Sequence, residues 1–321
     1  MTAFAAAEAQ DRQEEAADSA REEILAGLRS VPKTIHCKFL YDERGSQLFD
    51  AITELPEYYP TRTELAIMEE HVEEMARSLG PHVLLVELGS GSSTKTPMLL
   101  ERLDEPVAYV PVDISSEHLH AAAERLRERF PRLDIQPIAA DYTADYRLPE
   151  VEARRTVVYF PGSTIGNFPP GAIEDFLRHI AELCGPGGAL LIGVDLRKDR
   201  ETLERAYDDA EGVTAAFNLN LLRRFNRELG ADFDLDAFAH RAIWNEVDGR
   251  IEMSLVSRRD QTVSVGEEQL QFAAGEAILT EHSHKFTVEQ FAEIAAAAGF
   301  RVDRVWADSD NRFSVQFLTV A

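Results

Sequence analysis

From Val83 onward the chain alternates short apolar runs with amphipathic stretches. "VLLVEL", "VAYVPVDI", "DIQPIAADY", "TVVYFPG" and "GALLIGVDL" are strand-sized, and "SEHLHAAAERLRERF" and "GAIEDFLRHIAELCG" between them carry helical spacing. Runs that stay apolar instead of alternating must be buried on both faces, and intervening helices supply the cover. The pattern predicts an α/β fold built on a doubly wound, mostly parallel sheet. The end of the chain, "RVDRVWADSDNRFSVQFLTVA", reads as two β-runs around a polar turn, and so as an antiparallel pair.

The alternation stops after Asp195 and resumes at "TVEQFAEIAAAAGF". A gap of about 90 residues is far too long for a plain loop in a compact domain, so it must hold structure of its own. It opens with helical "RETLERAYDDAEGVTAAFNLNLLRRFNREL" and continues in strands, with a hairpin signal at Asp248-Gly249 and a further strand at "EAILTEHSHKF". The first 60 or so residues also lie outside the alternating pattern. The expected division is therefore a core of residues 61–196 and 286–321, with a second, discontinuous α+β lobe of 10–60 and 197–285. "YPTRTELAIMEEHVEEMARSL" reads as a capped amphipathic helix leading into the core.

Composition narrows the function. The chain has 321 residues, 45% of them hydrophobic, and a net charge of −24. Phosphate recognition draws on clustered Lys and Arg, so nucleic acid and anionic membranes are not expected partners. No apolar run approaches the roughly 18 residues of a membrane span, and the N-terminus lacks the basic start and apolar centre of a secretory signal. Cys37 and Cys184 stand far apart, without zinc spacing, which fits a reducing cytoplasm better than a disulfide framework. A His282-x-His284 pair lacks an indicated third ligand, so no metal is expected.

"VELGSGSSTKTPMLL", after the first strand, is the main chemical signal. A P-loop requires glycine directly before Lys-Thr, and Thr94 occupies that place. A dinucleotide fingerprint requires a third glycine, and Thr94 replaces that too, leaving only Gly89-x-Gly91. Three acidic positions sharpen the pattern. Glu87 ends the first strand, Asp113 ends the second 24 positions after Gly89, where a carboxylate can accept both ribose hydroxyls, and Asp141 follows the third beside Tyr142, where an adenine could be held. Each carboxylate alone could merely cap or end an element. In succession at strand ends they fit an adenosine ligand, and a cationic one better than a phosphate.

This order of residues resembles the S-adenosylmethionine site of class I methyltransferases, whose Rossmann-like seven-stranded sheet the predicted elements outline. Over nearly the whole chain, "KFLYDERGSQLFDAITELPEYYPTRTE", "VELGSGSSTKT", "FPGSTIGN", "RAYDDAEGVTAAFNLNLL", "NRELGADFDLDAF", "RIEM" and "LTEHSHKF" resemble the S-adenosylmethionine-dependent L-histidine Nα-methyltransferases of ergothioneine biosynthesis. The resemblance implies that S-adenosylmethionine is the cofactor and L-histidine the substrate. It implies cofactor roles for Glu87, Gly89, Gly91, Asp113, Asp141 and Tyr142, with Lys95 meeting the carboxylate of the cofactor's tail. Tyr41, Gly162 and Asn167 would surround the substrate amine, Tyr41 and Asn167 as the catalytic pair, while Asn167 and Tyr207 would hold its carboxylate. Tyr58, Met253, Glu281 and Ser283 would line the side-chain pocket. Glu281 and Ser283 are two apart on a predicted strand, so they share a face and suit the two imidazole nitrogens. A monomer is expected. Within the same class, N-methylation of another amino acid such as tryptophan is the alternative; from another class, a non-catalytic S-adenosylmethionine-binding protein.

Overall fold

A computed structural model describes residues 18–91, 95–144, 146–169 and 171–321. Thr94, on which the P-loop and dinucleotide readings turned, lies outside the described residues, as do positions 10–17 of the expected lobe. The chain divides into two compact units. One comprises Tyr59–Asp199, Glu246–Arg250 and Ser283–Ala321; the other takes in the chain up to Tyr58, Arg200–Asn245 and Ile251–His282.

The larger unit is built on a sheet whose strands follow the order Phe300–Ala307, Phe313–Val320, Ala189–Asp195, Arg155–Phe160, Val83–Leu88, Ala108–Asp113 and Asp134–Ile135. Neighbours are parallel except Phe313–Val320, which runs antiparallel to both strands beside it, in keeping with the polar turn before it. Side-chain direction reverses at each residue of a strand, and both directions are apolar here. Leu84, Val86 and Leu88 join a core with Val158, Phe160, Phe176 and Phe291, under helices Ala172–Cys184 and Val288–Ala297. Val83 and Leu85 join the opposite core with Met68, Tyr109, Tyr159 and Phe313, under helix Tyr59–Leu79. Each fully buried Leu or Val contributes about 1.5–3 kcal/mol, so a charge placed at such a position on a central strand is expected to unfold this unit.

The third run departs from a single strand. "DIQPIAADY" forms two short pieces, Asp134–Ile135 and Ile138–Ala139, both beside Ala108–Asp113. Pro137 lies between them, and proline cannot donate to the ladder.

The smaller unit holds a four-stranded sheet in the order Lys33–Thr34, Ala277–His284, Arg250–Ser257 and Phe238–Asn245, and a separate pair, Gln261–Val265 and Glu268–Phe272. The Asp248-Gly249 signal falls in the turn linking two of these neighbours, where Gly249 has φ 66°. The long helical stretch after Asp199 is two helices, Arg200–Tyr207 and Val213–Leu229. Gly212 breaks it at φ 74°, and Asp209 accepts hydrogen bonds from the Val213 and Thr214 amides at 2.9 and 2.7 Å, satisfying donors at the new helix start. Among the described residues no helix is long and apolar enough to cross a membrane.

Candidate functional site

The strand ends of the larger unit gather the acidic positions. Glu87 is 2% exposed, and its carboxylate accepts from Thr96 Oγ1 at 2.7 Å and from the Tyr109 hydroxyl. Burial pushes its carboxyl up to about 7, against the opposing effect of those two donors. Thr96, which would hold a metal in a P-loop, is thus committed to a carboxylate. Beyond Glu87 the chain turns through Gly89 and Gly91, at φ 67° and 48°, a left-handed conformation that costs other residues about 1–2 kcal/mol. The Gly91 amide reaches Asp113 Oδ2 and the Ser115 amide reaches Asp113 Oδ1, each at 2.9 Å, so the turn fixes the second strand-end carboxylate.

Asp141 accepts the Thr143 amide at 2.9 Å. Its neighbour Tyr142 packs edge-on to Phe160, with centroids 5.6 Å apart, and tilts against Phe176 at 5.9 Å. A Cβ at Gly89 would lie 3.6 Å from the Tyr142 ring, so the bare glycine and the ring face one another. Carboxylates at successive strand ends, an exposed glycine backbone and an aromatic ring fit a nucleoside with a cationic tail, whose ribose hydroxyls and amino groups are donors suited to carboxylate acceptors.

Lys95 donates to Glu64, which is 0% exposed on helix Tyr59–Leu79. Asn167 ends the short 3-10 turn Thr164–Asn167 after strand Arg155–Phe160; its half-buried amide makes no hydrogen bond among the described residues. A Cβ at neighbouring Gly166 would come within 2.7 Å of the His284 carbonyl, so glycine is required there. Gly162, at φ 79°, is exposed in the same segment. Ser283 accepts from Lys285 Nζ at 2.8 Å.

Lys285 belongs to a buried cluster. It pairs with Asp195 Oδ2 and Lys198 pairs with Oδ1, both at 2.6 Å, and the Tyr59 hydroxyl donates to the same carboxylate. Two cations on one fully buried anion leave an excess of positive charge, and burial brings the Lys198 ammonium down to about 8.

The smaller unit carries a cleft of different chemistry. Tyr41, Tyr58, Tyr207, Met253 and Glu281 all line it. Phe49 and Phe217, to which no role was assigned from the sequence, complete its wall: both rings stand 5.5 Å from Tyr41, and Tyr58 meets Tyr207 edge-on at 6.1 Å. Glu281, 8% exposed, is the carboxylate among these rings. Its negative charge adds to burial in driving the Cys37 thiol up to about 12. Thr214 and Phe217 share one face of helix Val213–Leu229, three residues apart.

Tyr207 is held from behind. His240 Nε2 lies 2.8 Å from the Tyr207 carbonyl, so that nitrogen carries the proton, and Nδ1 accepts from the Asn218 amide at 3.0 Å. Burial lowers the His240 pKa, which keeps this bridge neutral. Glu64, Thr96, Tyr109, Asp195 and His240 were not among the expected site residues. Glu64 alone left a sequence signal: it shares the apolar stripe of its helix with Pro60, Ile67 and Met68, where a charge is out of place.

Residues 20–320 match the model of a family described as histidine-specific methyltransferase, SAM-dependent. A histidine N-alpha-methyltransferase of Mycolicibacterium smegmatis is 45% identical over 306 residues, covering 94% of this chain and 94% of the relative. One of the same name from Mycobacterium tuberculosis is 43% identical over 301 residues, 92% of this chain and 93% of the relative. Ergothioneine biosynthesis protein 1 of Neurospora crassa is 30% identical over 284 residues, 86% of this chain but 32% of that longer protein.

Proposed function

The chain belongs to the family of histidine-specific, S-adenosylmethionine-dependent methyltransferases, and from that premise we propose how its residues divide the work. The protein is an N-methyltransferase that moves methyl groups from S-adenosylmethionine to the α-amine of L-histidine, giving Nα,Nα,Nα-trimethylhistidine (hercynine), a step toward ergothioneine. The observation that carries the substrate assignment is Glu281, a buried carboxylate in an aromatic cleft. An imidazole N–H can donate to it, whereas a phenyl side chain offers no donor, and a site built to hydrogen-bond a polar group strongly rejects an analogue that lacks it.

S-adenosylmethionine supplies, when bound, a sulfonium methyl open to direct displacement. In our reading the larger unit is the cofactor core. Asp113 takes the ribose hydroxyls, Asp141 and Tyr142 the adenine, Lys95 the tail carboxylate, and Glu87, Gly89 and Gly91 shape the turn beside them. The smaller unit is the substrate lobe. Its Glu281, Met253 and Tyr58 receive the imidazole side chain, and Tyr207 offers a hydroxyl to the amino acid carboxylate.

Tyr41 and Asn167 are the catalytic pair in this assignment, orienting the lone pair of the neutral amine. Asn167 suits that role because its amide offers both donor and acceptor, with Gly162 presenting bare backbone, while Ser283 is assigned with Glu281 to the imidazole nitrogens. Methyl transfer to nitrogen depends chiefly on alignment, so positioning supplies much of the acceleration. Aromatic faces such as Tyr41 and Tyr58 also tolerate the methylammonium charge that grows with each transfer. The two free cysteines support our placing the enzyme in a reducing cytoplasm, and we assign it as a monomer.

Mass spectrometry of reactions with S-adenosylmethionine and each amino acid supplied separately tests this reading. A product three methyl groups heavier from histidine alone is expected. Methylation of tryptophan in its place would overturn the substrate, and absence of any product would overturn the activity.

A further inference from the structure

Glu64 has no exposed surface and sits where three neighbouring strands of the larger sheet lead into their turns. A buried charge costs several kcal/mol unless it is paired and hydrogen-bonded. Lys95, which follows the glycine turn of the first strand, donates to Oε2. The amide of Gly162, just beyond strand Arg155–Phe160, lies 3.1 and 3.0 Å from the two carboxylate oxygens. The third strand makes room, because a Cβ at Gly193 would stand 2.3 Å from Glu64 Oε1. A cation, a backbone donor and an obligatory gap thus converge on one side chain.

We propose that Glu64 is a positioning residue that ties the cofactor-binding lysine to the Gly162 segment, so that one buried carboxylate sets both. The proposal rests on the reading that Lys95 meets the cofactor's carboxylate and Gly162 the substrate's amine. A lysine ammonium has three donors; one committed to Glu64 leaves the others aimed at a ligand. Without that anchor the side chain keeps rotamer freedom that ligand binding would have to overcome. A carboxylate that merely competed for Lys95 would act in the opposite sense, since its removal would strengthen ligand binding.

Titration calorimetry of the full chain with S-adenosylhomocysteine decides between these. Glu64→Gln keeps the shape and an acceptor for the Gly162 amide but loses the charge that holds Lys95. Glu64→Gln and Lys95→Met are each expected to weaken binding about tenfold, and the double variant no more than about tenfold, because both act through one ammonium. In protein loaded with S-adenosylhomocysteine, Glu64→Ala should weaken histidine binding more than Glu64→Gln, since only alanine removes the Gly162 anchor.

Unchanged or tighter S-adenosylhomocysteine binding by Glu64→Gln, with Lys95→Met weakened, overturns the role of Glu64 alone. Additive losses overturn it as well. Lys95→Met without effect overturns the assignment of Lys95 and the proposal with it. Should Glu64→Gln fail to fold, as read by its thermal melt, Gly193→Ala displaces the carboxylate from the other side. Gly193→Ala is expected to reproduce the weaker binding, and wild-type affinity in it overturns the proposal.

Discussion

Glu87 and Glu281 are both buried carboxylates, yet their surroundings differ in kind. Glu87 ends a central strand, and two hydroxyls of its own unit already donate to it. Glu281 lies in a cleft walled by Tyr and Phe rings. The first arrangement is a scaffold: in the proposed reading it steadies a turn whose neighbours would hold a polar, many-membered ligand through several hydrogen bonds. In the proposed reading the second is a discriminator, because its carboxylate would meet the substrate's imidazole among aromatic rings. Losses are therefore expected to concentrate at Glu281 and to spread thinly over the strand ends.

The sharpest way to break this contrast is Glu281→Leu. Removing a charged hydrogen-bond acceptor is expected to cut kcat/KM for histidine about a hundredfold, while S-adenosylhomocysteine affinity stays within about twofold. Equal losses of both would show that Glu281 serves the whole fold rather than the substrate. Asp113→Ala should do the converse, weakening S-adenosylhomocysteine about tenfold in calorimetry, through lost ribose contacts and a loosened Gly91 turn. A normal cofactor affinity in that variant would remove Asp113 from the site.

A smaller effect distinguishes the two carboxylates by protons. Burial holds the Glu87 carboxyl up at about 7, so it is partly protonated at neutral pH. A cationic ligand favours the ionised form and lowers that value, so S-adenosylmethionine binding near pH 7 should release a fraction of a proton. The release appears as a dependence of binding enthalpy on the buffer, and it should fade above about pH 8 and vanish in Glu87→Gln. An identical buffer dependence in that variant would assign the proton elsewhere.

The smallest expected effect concerns the support of Tyr207. The His240 pKa is lowered from 6.5 in the folded chain, chiefly by burial. The unfolded chain therefore takes up the proton first as pH falls, so this contribution is complete above about pH 6.5 and is lost on acidification below it. Thermal melts should show wild type losing stability below pH 6.5 more steeply than His240→Gln, and parallel curves would exclude His240 as the cause.

Much of the larger unit was legible because its physics is local. Strands buried on both faces must read as unbroken apolar runs, and the positive φ of Gly89 and Gly91 demands residues without a Cβ. Strand-end carboxylates then fall at predictable places, as Glu87 and Asp113 do. The break at Pro137 was visible as a residue but not as a consequence, because two flanking pairs of residues keep the same partner strand.

Other positions depend on packing between distant segments. Glu64 looked like one more polar residue of an amphipathic helix, although its place on the buried stripe carried the clue. Phe49 and Phe217 lie on separate helices, and nothing in their local sequence marks the ring contacts that join them to Tyr41. Asp195 resembled any acidic strand end, since of the two lysines paired with it only Lys198 is near in sequence, while Lys285 comes from 90 positions further along the chain.

A competition in one vessel tests the central claim most directly: equal histidine and tryptophan with limiting S-adenosylmethionine, products resolved by mass spectrometry, for wild type and Glu281→Leu. The account predicts trimethylated histidine and no methylated tryptophan from wild type, with histidine methylation collapsing in the variant. Comparable methylation of the two amino acids by wild type, or unchanged histidine preference in Glu281→Leu, would contradict it.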